Sequence, residues 1–496
     1  MLKNDNIKIN SMISNIFKFS INTWASFFIN FFVMLGTTYL FLPEELGKIN
    51  MFITVSSMLL VLVPLGVDSS YLRFYYETPN NRSVKHLIID GFLISGISTV
   101  VLVIITCLFR KPICNFIVGS NEYDILVLLF IYLIASVILR FLNLTYRLEG
   151  NAKSYTLQAI LVTVTSKALH SIAGFIWPYH RVSIYIIVIS TLLLAIICLK
   201  LQNKSIDFKE YHIDNSSNVQ MLKFGLPLLP GCMLIWLDSS VARFVIRKFL
   251  DFSYVGIYSA GVQLSALFTM VSSGFVCFWG PFVYSNYKDA SKERQIKNMS
   301  KYVVIIALLF VSFIVLFQDL IFVFIGSKYE TAKIFFSFLF VTPACNLISE
   351  ATCIGITISK KSYWLSVISF ITVSINIFIS LLLIKPLGLV GVAIASAISG
   401  IVMLILRSFV GNKYYKINKA SYHVFISVLI LILLCGLNYF LRFNIILRYL
   451  AVWLIILIEF LLYRKEVCYL VKMSISFINQ IFKSKLQYKD TTKLSG

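Results

Sequence analysis

The chain has 496 residues, 58% of them hydrophobic and only 13% charged, with a net charge of +22 and a mean hydropathy of +0.85. A soluble domain carries about 25% charged residues, so these values exclude a soluble enzyme. Positive charge of this size would suggest nucleic acid in a soluble protein, but here most of the basic residues sit in short loops between apolar runs.

Residues 17–42 form the first apolar run, too long for a signal-peptide core and without a clear small-residue cleavage site, so it reads as a span. Further runs follow at 50–72, 86–109, 125–147, 154–177, 182–201, 222–247, 254–284, 302–325, 332–357, 362–384, 389–410, 421–441 and 445–463. Each is near the ~20 residues that cross a hydrocarbon core about 30 Å thick. Lipid offers the backbone no partners, so runs of this length predict helices. The expected fold is an all-α polytopic membrane protein with about fourteen transmembrane helices. The seventh run opens with Gly225, Pro227, Pro230 and Gly231 and the eighth contains Gly280-Pro281, which predict bends. Beyond Lys472, Ile475, Phe477, Ile478, Ile481 and Phe482 alternate with Lys483, Lys485 and Lys489. That tail reads either as an amphipathic helix on an anionic leaflet or as a disordered basic tail.

Lys and Arg favour alternate loops, among them Arg73, Arg82 and Lys85, then Lys288, Lys292, Arg294, Lys297 and Lys301, then the tail. This bias predicts both termini in the cytoplasm. Lys153-Ser154-Tyr155 opens the fifth run and Lys361-Ser362-Tyr363 the eleventh, an offset of 361 − 153 = 208 residues. A second pair, Phe41-Leu42 and Phe249-Leu250, has the same offset. The repeat predicts two six-helix lobes, 1–201 and 221–412, related by a pseudo-twofold axis along the membrane normal. A cytoplasmic linker (202–220) joins them, and an appended helix pair (413–471) and a basic tail (472–496) follow.

Neither a P-loop nor an HExxH motif occurs, and the cysteines show no metal-ligand spacing. No cofactor is expected, and no nucleic-acid partner. What carries chemistry is the set of ionisable residues inside spans, which are costly and face a bundle interior or a wet cavity. Lys167, with His170 three residues on, lies mid-span. It is either a cationic spot for a phosphate or a buried group neutralised elsewhere. Arg140 suits a pyrophosphate, since its planar fork matches phosphate oxygens, or it snorkels inward. Asp238 and Arg243 are five residues apart and point about 140° apart on a helix, a poor pair. Glu350, Glu459 and Asp238 are candidate coupling carboxylates, since burial lets a carboxyl carry a proton, with H+ or Na+ as the coupling ion; Glu350 and Glu459 read more readily as neutral hydrogen-bonded acids. Asp68 and Asp90 are expected at the boundary.

Four stretches occur in the order found in a known group: Leu65 to Glu77, Phe224 to Gly231, Val255 to Ser259 with Phe278 to Phe282, and Pro386 to Ser399. Together they span most of residues 15–410 and resemble the bacterial polysaccharide flippases of O-antigen and capsule assembly. That group lies within the multidrug/oligosaccharidyl-lipid/polysaccharide exporter superfamily. The resemblance implies twelve to fourteen helices in two lobes around a cationic cavity. It also implies alternating access for an undecaprenyl-pyrophosphate-linked repeat unit in the inner membrane, beside a polymerase and glycosyltransferases of the same pathway. Family members often have Asp-Arg where this chain has Ala242-Arg243, so only the arginine carries over. A multidrug or cation antiporter of the same fold would want an acid-rich cavity. A membrane polymerase or ligase would want a large outer loop.

Overall fold

The computed structural model describes residues 26, 28–79, 82–203, 211–415 and 420–468. Among these there is no strand. The helices are α1 (Phe28–Leu40), α2 (Pro43–Leu62), α3 (Val67–Phe74), α4 (Val84–Leu108), α5 (Arg110–Val118), α6 (Asp124–Leu148), α7 (Ala152–Thr163), α8 (Leu169–Ala173), α9 (His180–Leu201) and α10 (Asn215–Gly225). There follow α11 (Leu229–Phe249), α12 (Phe252–Asn286), α13 (Ala290–Leu316), α14 (Gln318–Val323), α15 (Phe336–Thr352), α16 (Ile354–Ile358), α17 (Tyr363–Tyr414), α18 (Ala420–Phe440) and α19 (Ile445–Leu462). Every predicted span contains helix. The basic tail beyond Lys472 lies outside the described residues.

Among the described residues nine helices are long and apolar enough to cross a membrane, ten if one bent pair counts as a single span. The difference from fourteen has local causes. The first span is described only from residue 26. The fifth is α7 and α8 joined through a π turn at Val164–Ala168. The eighth, the 35-residue α12 with Pro281 inside it, is not among the nine. The tenth is bent by 61° from the 3₁₀ turn Ser327–Ile334. The eleventh and twelfth run together as α17, whose backbone breaks at Gly388 (φ 55°, ψ −132°) just after Pro386. A side chain is disfavoured there, and Pro386 removes an N–H, so the junction turns the chain between two spans.

The chain packs as two compact units. The first comprises residues up to Phe278 with Leu320–Leu339 and Leu365–Ser399. In it Tyr71, Leu87, Phe141 and Met221, from α3, α4, α6 and α10, form one buried cluster. Phe52, Ile117, Leu129 and Ile184, from α2, α5, α6 and α9, form another. Two glycine pairs let backbones touch. Gly47 of α2 lies against the Phe252 carbonyl and Gly256 of α12, and Gly66 lies against Gly225. Gly66 also has φ 75°, so both position and conformation require glycine there. A polar knot ties the start of α4 to the segment before α10. Fully buried Asp90 accepts two bonds from Arg82, at 2.6 and 2.8 Å, and one from the Tyr211 hydroxyl at 2.6 Å. Arg82 also donates to the His212 carbonyl. Asp90, expected at the boundary, is buried within the protein and anchors the start of α4.

The second unit comprises Trp279–Asp319, Phe340–Trp364 and the described residues from Gly400 on. Here α13, α14, α18 and α19 share a polar seam. Ser312 donates to Glu459, Gln318 bonds Asn438, and Arg448 pairs with Asp319.

Candidate functional site

The first unit brings Lys167 and Arg243 together. Lys167 lies in the π turn between α7 and α8. A π turn holds one extra residue per turn and leaves carbonyls without their usual amide. Two hydroxyls lie at such carbonyls: Ser190 of α9, whose shortest bond is to the Ile186 carbonyl of its own helix at 2.6 Å, is 3.1 Å from the Thr165 carbonyl, and Ser171 donates to the Lys167 carbonyl at 2.8 Å. The extra residue of the turn changes the direction in which Lys167 leaves its helix. Arg243 is on α11, where its Nε donates to Ser259 of α12 at 3.2 Å.

The two cations lie within electrostatic reach of each other. Both are half-buried, and among the described residues neither has a carboxylate ion-pair partner. Two like charges in a membrane-spanning segment without an acid are costly, and a bound anion would offset that cost. His170 lies one turn on, fully buried, its ring 6.2 Å from that of Phe41. Its Nδ1 has no hydrogen-bond partner among the described residues.

Arg140 is held differently. It pairs with Asp68 and donates to the Leu60 carbonyl at 3.2 Å. Its side chain is 42% exposed at the wall of a cavity of about 310 Å³, also lined by Tyr132, Asn143, Ser166 and Thr191. Ser166 adjoins Lys167 in the chain. Asp68, expected to be merely interfacial, is thus the partner of a candidate site residue. Asp238 is half-buried on α11, while the Arg243 guanidinium is committed to Ser259 and the Ser239 carbonyl.

The other two carboxylates lie in the second unit. Glu350 faces Arg407 at 3.8 Å and its side chain is 41% exposed. Glu459 is 2% exposed; one oxygen accepts from Ser312 at 2.8 Å and the other has no partner among the described residues. Sequence reasoning singled out the midspan charges but not their partners Asp68 and Arg407, which are 72 and 57 residues away along the chain. Among the described residues no His, Cys, Asp and Glu group could hold a metal ion.

The comparisons agree with this architecture. The structure resembles that of the lipid II flippase MurJ in an inward closed conformation, with a TM-score of 0.65 at 18% identity, covering 90% of this chain and 99% of that one. It also resembles the Vibrio cholerae MATE transporter VcmN, with a TM-score of 0.54 at 15% identity and coverage of 83% and 100%. A third resemblance is to an inward-facing multidrug resistance MATE family transporter of the MOP superfamily, at 0.54 and 18%, with coverage of 79% and 95%. At these identities the likeness establishes the fold, which is one used by flippases and transporters. No curated protein matches at the level of sequence. Residues 38–334, more than half of the chain, match a family described as polysaccharide biosynthesis protein. The chain is therefore a multi-pass membrane member of the polysaccharide biosynthesis protein family, built on a transporter fold.

Proposed function

We propose that the chain flips an undecaprenyl-pyrophosphate-linked oligosaccharide repeat unit from the cytoplasmic to the outer leaflet of the bacterial inner membrane. The cycle is alternating access between two six-helix lobes, 1–201 and 221–412, with both termini cytoplasmic. The observation that carries this reading is the pair Lys167 and Arg243, two cations in spanning helices without a carboxylate partner among the described residues. An anionic headgroup supplies the missing charge, and Arg140 and His170 are the further groups that would meet it. The family and the likeness to a lipid II flippase support a lipid-linked substrate. A polymerase and glycosyltransferases would act beside it, and Asp238, Glu350 or Glu459 would carry a coupling proton or Na+.

The test is reconstitution of the purified full chain in proteoliposomes containing an undecaprenyl-pyrophosphate-linked oligosaccharide. The reading predicts protein-dependent movement of this lipid between leaflets and no transport of a cationic dye. Transport of the dye with a static lipid would replace it with a cation antiporter.

A further inference from the structure

On the face that the loop charges place outside, three titratable side chains from distant parts of the chain converge. Glu45 is in the first turn of α2, Glu122 precedes α6, and His180 opens α9. The Glu45 Oε2 accepts the His180 backbone N–H at 2.5 Å and lies 2.8 Å from its Nδ1. The His180 Nε2 lies 3.3 Å from the Glu122 Oε2. The histidine side chain is 11% exposed.

A neutral imidazole donates through one ring nitrogen only. Two carboxylates facing two nitrogens therefore require one proton more than neutral histidine and two ionised acids supply. Without it, one contact sets lone pairs against lone pairs in a poorly solvated place. The neighbouring charges do not supply that proton. Lys48 reaches the other Glu45 oxygen, at 3.7 Å, and Glu44. Arg181 and Tyr185 are spent on Asp124. Ser120 binds the far oxygen of Glu122, and Cys114 binds its carbonyl.

The same two acidic segments build the seat of Phe252 at the start of α12. Gly47, two residues after Glu45, meets the Phe252 carbonyl, and Gly119, three residues before Glu122, meets its ring. Arg247 lies 3.9 Å over that ring and donates to the carbonyls of Asn115 and Phe116, docking the end of α11 on α5.

We propose that Glu45, Glu122 and His180 form an outer-side proton-binding site whose occupancy holds the outer ends of α2, α5, α11 and α12 together. Proton loss removes one donor and leaves two carboxylates facing each other across the imidazole. The segments bearing Gly47 and Gly119 then part, and Phe252 leaves its seat. The ligand is a proton, taken from the outer medium. The assignment to that side rests on the orientation given under the proposed function.

The test needs no substrate, so its failure and a failure of flipping are separate results. Spin labels at Lys111→Cys on α5 and Lys248→Cys on α11, in a background with the native cysteines replaced except the fully buried Cys114, report the separation of the two ends by pulsed EPR. Samples of the full chain are frozen at pH 5 and pH 8, the interval over which histidine changes charge. The distance is expected to lengthen at the higher pH by about half a helix diameter, ~5 Å. His180→Gln should give the long distance at both pH values. His180→Arg, which keeps donors for both acids, should give the short distance at both and shows that the position tolerates substitution. A distance independent of pH in the parent protein, or a pH response that survives in His180→Gln, would overturn the proposal.

Discussion

Whether a charged side chain in this molecule is structural or available depends on its partners. Asp90 is fully buried with a bidentate arginine and a phenol upon it, so it is structural. Removing one partner of such a pair strands the other; Asp90→Ala should cost about 3–5 kcal/mol, read as a lower thermal midpoint in detergent. Tyr211, in the same knot, has its phenol pushed up to about 12 by burial and by the hydrogen bond to Asp90. Its folded value lies above the usual ~10. The stabilisation is therefore complete below about pH 10 and is lost as pH rises towards 12. Tyr211→Phe should flatten the melting-temperature profile between those pH values, and an unchanged profile would show that the knot is not the titrating element. Lys167 and Arg243 are the opposite case, since no acid among the described residues neutralises them. The sequence placed both in spans. It could not show that Arg140 has Asp68 or that Glu350 has Arg407, because those pairings depend on helix neighbours that no local spacing encodes.

At the scale of the element, the π turn at Val164–Ala168 aims Lys167. Deleting Thr165 should convert that turn to regular α-helix and rotate Lys167 by about 100° relative to the preceding turn. Flipping should fall at least tenfold while the protein still reaches the membrane; normal flipping would show that the distortion has no bearing on the site. Nothing in the Val-Thr-Ser-Lys-Ala string announces a π turn, since its surroundings, which include Ser190 of another helix 3.1 Å from the Thr165 carbonyl, are not local in the chain. Other breaks were legible. Pro386 and Gly388 mark the join between two spans, and Gly225 with Pro227 and Pro230 marks the irregular start of α11, where a 3₁₀ turn stands. Proline and glycine act on their own backbone, so their effects are visible without tertiary knowledge.

At the scale of the whole molecule, apolar runs about 20 residues long gave the helical membrane fold, because the bilayer imposes that length on every span. The loop charges gave an orientation, which reporter fusions check directly. Gly119 and Gly326 should read as external, and Ser291 and a site after Lys485 as internal. A reversal at two of these sites would refute the topology. The triad of Glu45, Glu122 and His180 escaped the sequence reading, since its members are 135 and 58 residues apart along the chain and lie at helix ends, where charges are ordinary.

The central claim is that an anionic, lipid-linked headgroup supplies the charge that Lys167 and Arg243 lack. The most direct measurement is the flipping rate of an undecaprenyl-pyrophosphate-linked oligosaccharide in proteoliposomes holding equal amounts of parent protein, Lys167→Ala or Lys167→Arg. The account predicts that the alanine variant loses at least tenfold, the effect of about 1.4 kcal/mol or more, while the arginine variant keeps part of the rate because the charge remains. Equal rates for the parent protein and Lys167→Ala would contradict it.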